Sequence, residues 1–235
     1  MSETPSICHV DRLDLSFVPK PWPFSIEHRA EIDDYFEVLR REKPKLWNGR
    51  VLLLHRQVLT EGTLRGEYLE TDYASFAVWQ HWGRRHAGVH DCFSAAAILT
   101  ADRAFLLGVM AAHTFNGGEI YFPCGTPDPD DIVGGKVDLD QSVRRELKEE
   151  TGLEIADFDV EPGWTMVVDG PLIAQIRVLH SRETAAVLRA RILAYLASIR
   201  QPELADIRVV RSLSDVDKAM PPFIAAFLAS RWAGG

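Results

Sequence analysis

The segment RELKEETGL, Arg145 to Leu153, places three carboxylates within a turn and a half of a stretch that reads as helix and stops at a glycine. On a helix, residues three and four apart share a face, so Glu146 meets both Glu149 and Glu150 and their carboxylates converge on one small volume. Three like charges that close repel one another, and the arrangement costs stability unless a cation neutralises it. Hard oxygen ligands suit Mg²⁺ or Mn²⁺, so the chemistry first expected here is that of a divalent metal site.

Such a cluster needs a mount. Asp138, with Gln141 three residues on, fits a capping box, and the helix it opens carries Leu139, Val143 and Leu147 inward before Gly152 supplies a left-handed stop. Ahead of it, CGTPDPDDIVGGK (124–136) is rich in Gly, Pro and Asp and reads as a long surface loop. CFSAAAILT (92–100), AFLLGVM (104–110) and EIYFP (119–123) read as an antiparallel sheet feeding that loop. Downstream, TMVVD (165–169) and PLIAQIRVLH (171–180) form a hairpin across Asp169-Gly170. A helical run from Glu183 to Arg200 with Ser181 as its cap, a short strand IRVV (207–210) and a terminal helix (221–233) complete the chain.

Upstream, LDLSFV (13–18) reads as a strand ended by Pro21-Trp22-Pro23. Ser25 is the expected N-cap of a helix to about Glu42 with Ile32, Tyr35, Phe36 and Leu39 on one face. RVLLLHRQVL (50–59) is a buried-strand pattern, and Thr71 caps a helix whose Tyr73, Phe76, Trp79 and Trp82 recur at helical spacing. That aromatic stripe reads as core packing rather than as a base-stacking surface.

A 46% hydrophobic and 26% charged composition places the chain among soluble globular proteins, and 235 residues suffice for a substantial core. A net charge of −8 with no long basic run excludes a general affinity for nucleic-acid polymers, though not for a small phosphorylated substrate. Cys8, Cys92 and Cys124 stand apart, which argues against a disulfide framework or a zinc site. No stretch is apolar for long enough to span a bilayer, and MSETPSICHV lacks the basic-then-apolar order of a secretory signal, so a cytoplasmic protein without membrane partners is expected.

RELKEETGL resembles the second half of the Nudix box, the signature of hydrolases that cleave a nucleoside diphosphate linked to another moiety. Five fixed residues and two aliphatic positions would coincide by chance in such a chain with a probability of about 10⁻⁵. FPCG (122–125) leads toward the helix as that family's strand-to-loop entry does. The first half departs: counting back from Arg145, the family's glutamate falls on Val137 and its leading glycine on Asp131, or else Gly125 is that glycine and the loop carries six extra residues.

The resemblance implies an α/β fold, a Nudix-type α/β/α sandwich with a mixed sheet, here with an N-terminal extension (1–88) packing on the hydrolase domain (89–235). It implies Glu146 and Glu150 as principal ligands of Mg²⁺ or Mn²⁺, Glu149 as a third ligand or water-orienting carboxylate, and Arg145 as the residue pairing with a glutamate to fix its rotamer. A backbone carbonyl near Cys124 or Gly125 would complete the metal shell. Family members recruit the general base from the box or from a later loop. Asp159, Glu161, Asp169 and Glu183 lie downstream but read more simply as solvated acids.

KLWNGRVLLLH (45–55), DYASFAVWQ (72–80) and MPPF (220–223) loosely resemble a branch that cleaves UDP-sugars to UMP and a sugar 1-phosphate. Arg50, Arg56 and Arg65 are then candidates to hold phosphate or uridine, whereas His55 and His113 lack partners at ligand spacing and read as structural. The expected partner is a small nucleoside diphosphate derivative, and the extension either covers the substrate site or makes a homodimer interface. The alternatives are a Nudix-fold sensor that binds without hydrolysis, and an ordinary charged helix face in which Arg145 and Glu149 form an i, i+4 pair worth about 0.3 to 0.5 kcal/mol.

Overall fold

The computed structural model describes residues 4–44, 46–84 and 87–232. Strands β1 (Ser6–Val10) and β2 (Arg12–Phe17) open the chain and part at once, β1 joining a large sheet and β2 a smaller one. Helices α1 (Pro23–Glu27) and α2 (Arg29–Glu42) precede a long hairpin of β3 (Arg50–Thr60) and β4 (Thr63–Asp72). Helix α3 (Tyr73–His81) leads to β5 (Asp91–Leu99), β6 (Phe105–Met110), β7 (Ile120–Tyr121) and β8 (Cys124–Gly125). A small hairpin, β9 (Ile132–Val133) and β10 (Lys136–Val137), then feeds α4 (Leu139–Thr151). Strands β11 (Asp159–Val160), β12 (Trp164–Asp169) and β13 (Leu172–His180) follow. Helix α5 (Ala185–Ser198), β14 (Leu204–Val210) and α6 (Pro222–Trp232) end the described chain.

The large sheet runs β1-β12-β13-β5-β6-β14, with β8 paired to β5, β7 to β6 and β11 to β13. Its β13–β5 pair is parallel and its other pairs antiparallel, so the sheet is mixed. The smaller sheet runs β3-β4-β2-β10-β9 and is also mixed, through a parallel β2–β4 pair. Central strands covered on both faces bury nearly every residue, and β5 does so from Asp91 to Ile98. Helix α4 packs on β5 and β8, α5 on β14 and β6, and α6 on β12 and β1. Phe223 and Phe227 of α6 meet Phe93, Phe105 and Phe122 edge-on at ring separations of 5.2–5.7 Å. The α/β/α sandwich with an N-terminal extension is thus the architecture.

Several elements differ in detail from the sequence expectation. Ser25 caps nothing: it lies inside α1, its hydroxyl donates back to the Trp22 carbonyl at 2.8 Å, and α2 starts after His28. Asp72, not Thr71, caps α3 by accepting the Ser75 amide at 2.9 Å, because its shorter reach to the third residue satisfies an otherwise free N–H. Thr184 rather than Ser181 precedes α5. The 124–136 stretch is not plain loop: Gly134 and Gly135, both at positive φ, turn the β9–β10 hairpin that extends the smaller sheet. Trp79 is fully buried against Trp22, as core packing requires, and its Nε1-bearing neighbour Trp22 donates to the Ala87 carbonyl at 2.9 Å. Among the described residues, no helix is long and apolar enough to cross a membrane.

Candidate active site

Helix α4 is held at both ends by local chemistry. Asp138 accepts the Gln141 amide at 3.0 Å, while the Gln141 side chain turns away to donate to the Asp130 carbonyl at 2.8 Å, so the capping box is half made. Gly152 adopts φ +71°, a conformation that would strain any side chain, and its amide closes the last turn on Lys148. The Tyr195 hydroxyl of α5 donates to the Glu149 carbonyl at 3.1 Å and pins that turn.

The three glutamates differ sharply in setting. Glu150 is 3% exposed, accepts the Cys124 amide, and keeps Oε2 buried without a hydrogen-bond partner among the described residues. Burial, then the charges of Glu146 and Glu203, push its carboxyl well above the ordinary range. Glu146 lies against Gly125, where a Cβ would stand 2.2 Å from Oε1, so any side chain at this position would displace the carboxylate. Its carboxyl is pushed up to about 7, by burial first, with Arg145 opposing and the Glu149 and Glu203 charges adding. Glu149 extends toward solvent.

Arg145 donates to Glu146 Oε1 at 2.7 Å and to Asp131 Oδ2 at 2.9 Å, with Glu149 only at 3.8 Å. It is not the exposed i, i+4 pair of an ordinary charged face. Asp131 is fully buried, its Oδ2 also accepting the Asp128 amide at 3.1 Å within a 3-10 turn (Pro129–Asp131). Arg145 thus pairs with a glutamate, Glu146, and Asp131, six residues before the Val137 that stands where the family has its first glutamate, is a second carboxylate on it. Sequence reading placed Asp131 only as a misaligned glycine; the signal was present in Asp128-Pro129-Asp130-Asp131, a sequence suited to an acid-capped turn.

Gly125 is therefore brought to the glutamates as expected. Arg50 instead pairs with Glu70 at 2.5 Å on the smaller sheet. Arg56 is 74% exposed beside Glu67 and, with Arg65, lines a separate shallow depression there. Asp159 pairs with Arg182, Glu161 with Arg231 and His180, and Glu183 with Arg191. His55 is largely buried near Glu67 and its imidazole is held below its usual pKa, mainly by burial, while His113 is exposed. Glu203, just before β14, passed unremarked in the sequence, yet its charge acts on both Glu146 and Glu150.

Beside Cys124 and Gly125 opens a cavity of about 810 Å³, the size of a small-molecule site. The N-terminal extension contributes much of its wall: Tyr73, Phe76 and Gln80 of α3, and Arg84, which is held at φ +48°. The aromatic stripe of α3 thus serves the core through Trp79 and the cavity through Tyr73 and Phe76.

The donors present fit a divalent cation: three carboxylates on adjacent turns, one with an orphaned buried oxygen, beside the backbone of β8. Among the described residues no three acidic, histidine or cysteine side chains are already gathered round one point, because Arg145 holds a Glu146 oxygen and Glu149 extends outward.

The NUDIX domain family model matches residues 90–229. No curated protein matches the chain. Among solved structures, the Nudix hydrolase RenU from M. smegmatis is similar at 18% identity, over 62% of this chain and 85% of that one, with a TM-score of 0.39. The MutT protein from Methanosarcina mazei Go1 is similar at 19% identity, over 60% and 91%, with a TM-score of 0.40. The matched stretch spans more than half of the chain and contains α4, β8 and the glutamate cluster. The chain belongs to the Nudix family and is an enzyme of its pyrophosphohydrolase kind.

Proposed function

We propose that the protein hydrolyses the pyrophosphate bond of a nucleoside diphosphate linked to a second group, and that UDP-sugars, yielding UMP and a sugar 1-phosphate, are the substrates to test first. The observation that carries the reading is the convergence of Glu146 on Gly125 and Glu150 on the Cys124 amide, two backbone positions that also line the cavity. Glu146, Glu149 and Glu150 would hold Mg²⁺ or Mn²⁺, with the Gly125 carbonyl as a further donor. When bound, the metal supplies positive charge to phosphate oxygens and acidity to water.

The remaining work falls to the chain's own side chains. Arg145, locked by Asp131, holds the Glu146 carboxylate in one orientation. Glu149, whose exposed carboxylate has no hydrogen bond among the described residues, would take a proton from an attacking water, with Glu203 as a further carboxylate near the cluster. Arg50 and Arg56 keep a substrate role only for a molecule that reaches across to the smaller sheet. The extension 1–88 acts as a cover for the 89–235 domain, supported by the cavity wall that α3 provides. The same extension is where a homodimer contact would form.

Incubation with Mg²⁺ and a panel of UDP-sugars, ADP-ribose, dinucleoside polyphosphates and coenzyme A, reading released nucleotide or phosphate, tests the reaction. Glu150→Gln keeps shape and removes charge, so turnover should fall on the order of 10²-fold or more while the fold persists. Near-wild-type turnover in that variant would remove Glu150 from the metal shell.

A further inference from the structure

The cavity wall contains one aromatic side chain whose place is set from outside the cavity. Phe115 stands on the loop between β6 and β7 and lines the cavity beside Tyr73 and His81 of α3, its ring centroid 6.4 Å and 6.1 Å from theirs and near edge-on to both. The loop turns back on itself, the Thr114 amide bonding to the Ala111 carbonyl and the Gly118 amide to that of Met110. Its tip is tied elsewhere. Lys43, the half-buried C-cap of α2, donates through Nζ to the Phe115 carbonyl at 2.8 Å and also to the Thr114 carbonyl. The same ammonium stands 5.8 Å from the centre of the Phe115 ring.

The two carbonyls belong to the peptide groups on either side of the Phe115 Cα. Each peptide group is planar, so a single cation that holds both fixes the direction in which the Phe115 side chain leaves the main chain. Hydrogen bonds from an ammonium are stronger than those between neutral groups, and an ammonium this close to an aromatic ring adds attraction to its face. The grip comes from a firm base, because Phe36 and Leu39 of α2 pack with Ala77 and Val78 of α3 in one cluster that Phe115 borders. Lys43 and the opposite wall, Tyr73 and His81, therefore belong to one body, and the lysine sets how far from that wall the Phe115 ring stands.

We propose that Lys43 is a positioning residue of the cavity: by gripping the Thr114 and Phe115 carbonyls from the N-terminal extension it holds Phe115 in the wall, and ligand affinity depends on that hold. That the ligand is a nucleoside diphosphate derivative rests on the pyrophosphohydrolase reading; the grip itself rests on the contacts of Lys43.

Calorimetric titration of the full chain in EDTA, with UDP-glucose and with ADP-ribose, reads affinity without turnover. Lys43→Met keeps the length of the side chain and removes its donors, so the tighter of the two ligands should bind about ten-fold more weakly. Lys43→Arg still donates and should recover most of that loss. Phe115→Ala removes the ring and should weaken binding to a similar extent. The double variant should then bind no more weakly than Phe115→Ala alone, because the grip has no ring left to place. A lysine that only stabilised the fold would lower the melting temperature without moving affinity. Lys43→Gln and Phe115→Leu serve where Lys43→Met or Phe115→Ala fails to fold. Wild-type affinity in Lys43→Met, additive losses in the double variant, or no binding of either ligand by the wild type overturns the assignment. The expected pattern of affinities without nucleotide release in Mg²⁺ leaves the assignment standing and removes the hydrolase reading. Nucleotide release with an unchanged KM in Lys43→Met does the reverse.

Discussion

Glu146 and Glu150 are carboxylates that the fold makes reluctant to ionise, and that reluctance is what a divalent cation would relieve. Between the ordinary carboxylate range near pH ~4.3 and about 7, folded Glu146 keeps a proton that the unfolded chain has released. The folded state then binds more protons than the unfolded one, so its stability falls as pH rises through that window. Buried Glu150, Asp91 and Asp131 shift the same way, while His55, lowered mainly by burial, acts oppositely. We therefore expect the metal-free melting temperature to fall less steeply from pH 5 to pH 8 in Glu146→Gln than in wild type, and saturating Mg²⁺ to restore wild-type stability chiefly at the upper end. Parallel melting curves for the two chains across this range would contradict the assignment. Arg145 belongs to the same balance. Burial alone would lower its pKa, but the Glu146 and Asp131 carboxylates more than offset that and keep it cationic.

Helix α4 and strand β8 form one device, and much of it was legible from residues 138–152: the Asp138 cap, the inward Leu139, Val143 and Leu147, and the Gly152 stop all stand as read. Each depends on contacts within a few residues, which a sequence pattern records. Four features were not legible, for a common reason. Strand β4 (TLRGEYLETD) and strand β1 (SICHV) gain their pairing from partners far along the chain, and Asp131 gains its role from Arg145 fourteen residues away across a turn. The cavity is assembled from α3, the 115–126 region, Asp169 and the start of α6, so no single stretch of sequence contained it. The α4–β8 contact yields a prediction of its own. In Gly125→Ala the new methyl would meet the far end of the Glu146 side chain rather than backbone, so the side chain can move aside. Stability should change by less than about 1 kcal/mol in urea titration, while turnover falls about 10²-fold because the displaced carboxylate leaves its working position. Full activity in that variant would mean that Glu146 does not act from this place.

The two sheets of the molecule are stitched together by residues 6–17. β1 closes one edge of the large sheet against β12, and one residue later β2 enters the smaller sheet between β4 and β10. The N-terminal segment is consequently structural. A chain beginning at residue 11 tests the structural part alone, since no residue of β1 lines the cavity. Its loss uncovers Trp164, now 3% exposed, and removes Val10, which is fully buried. Burying one such valine is worth about 1.5–3 kcal/mol, and the ladder bonds lost are largely balanced by the chain entropy regained. At roughly 2–4 °C per kcal/mol for a chain of this size, the melting temperature should drop by about 3–12 °C. The backbone of β12 from Trp164 to Val168 would become an open edge, and open edges recruit other strands. Size-exclusion chromatography should accordingly show concentration-dependent association in the shortened chain, with turnover per folded molecule retained because the glutamates and the cavity are untouched. A shortened chain that melts like wild type and elutes unchanged would show that β1 contributes nothing to holding the large sheet, and the joint between the two sheets would then have to be sought in β2 and the β9–β10 hairpin alone.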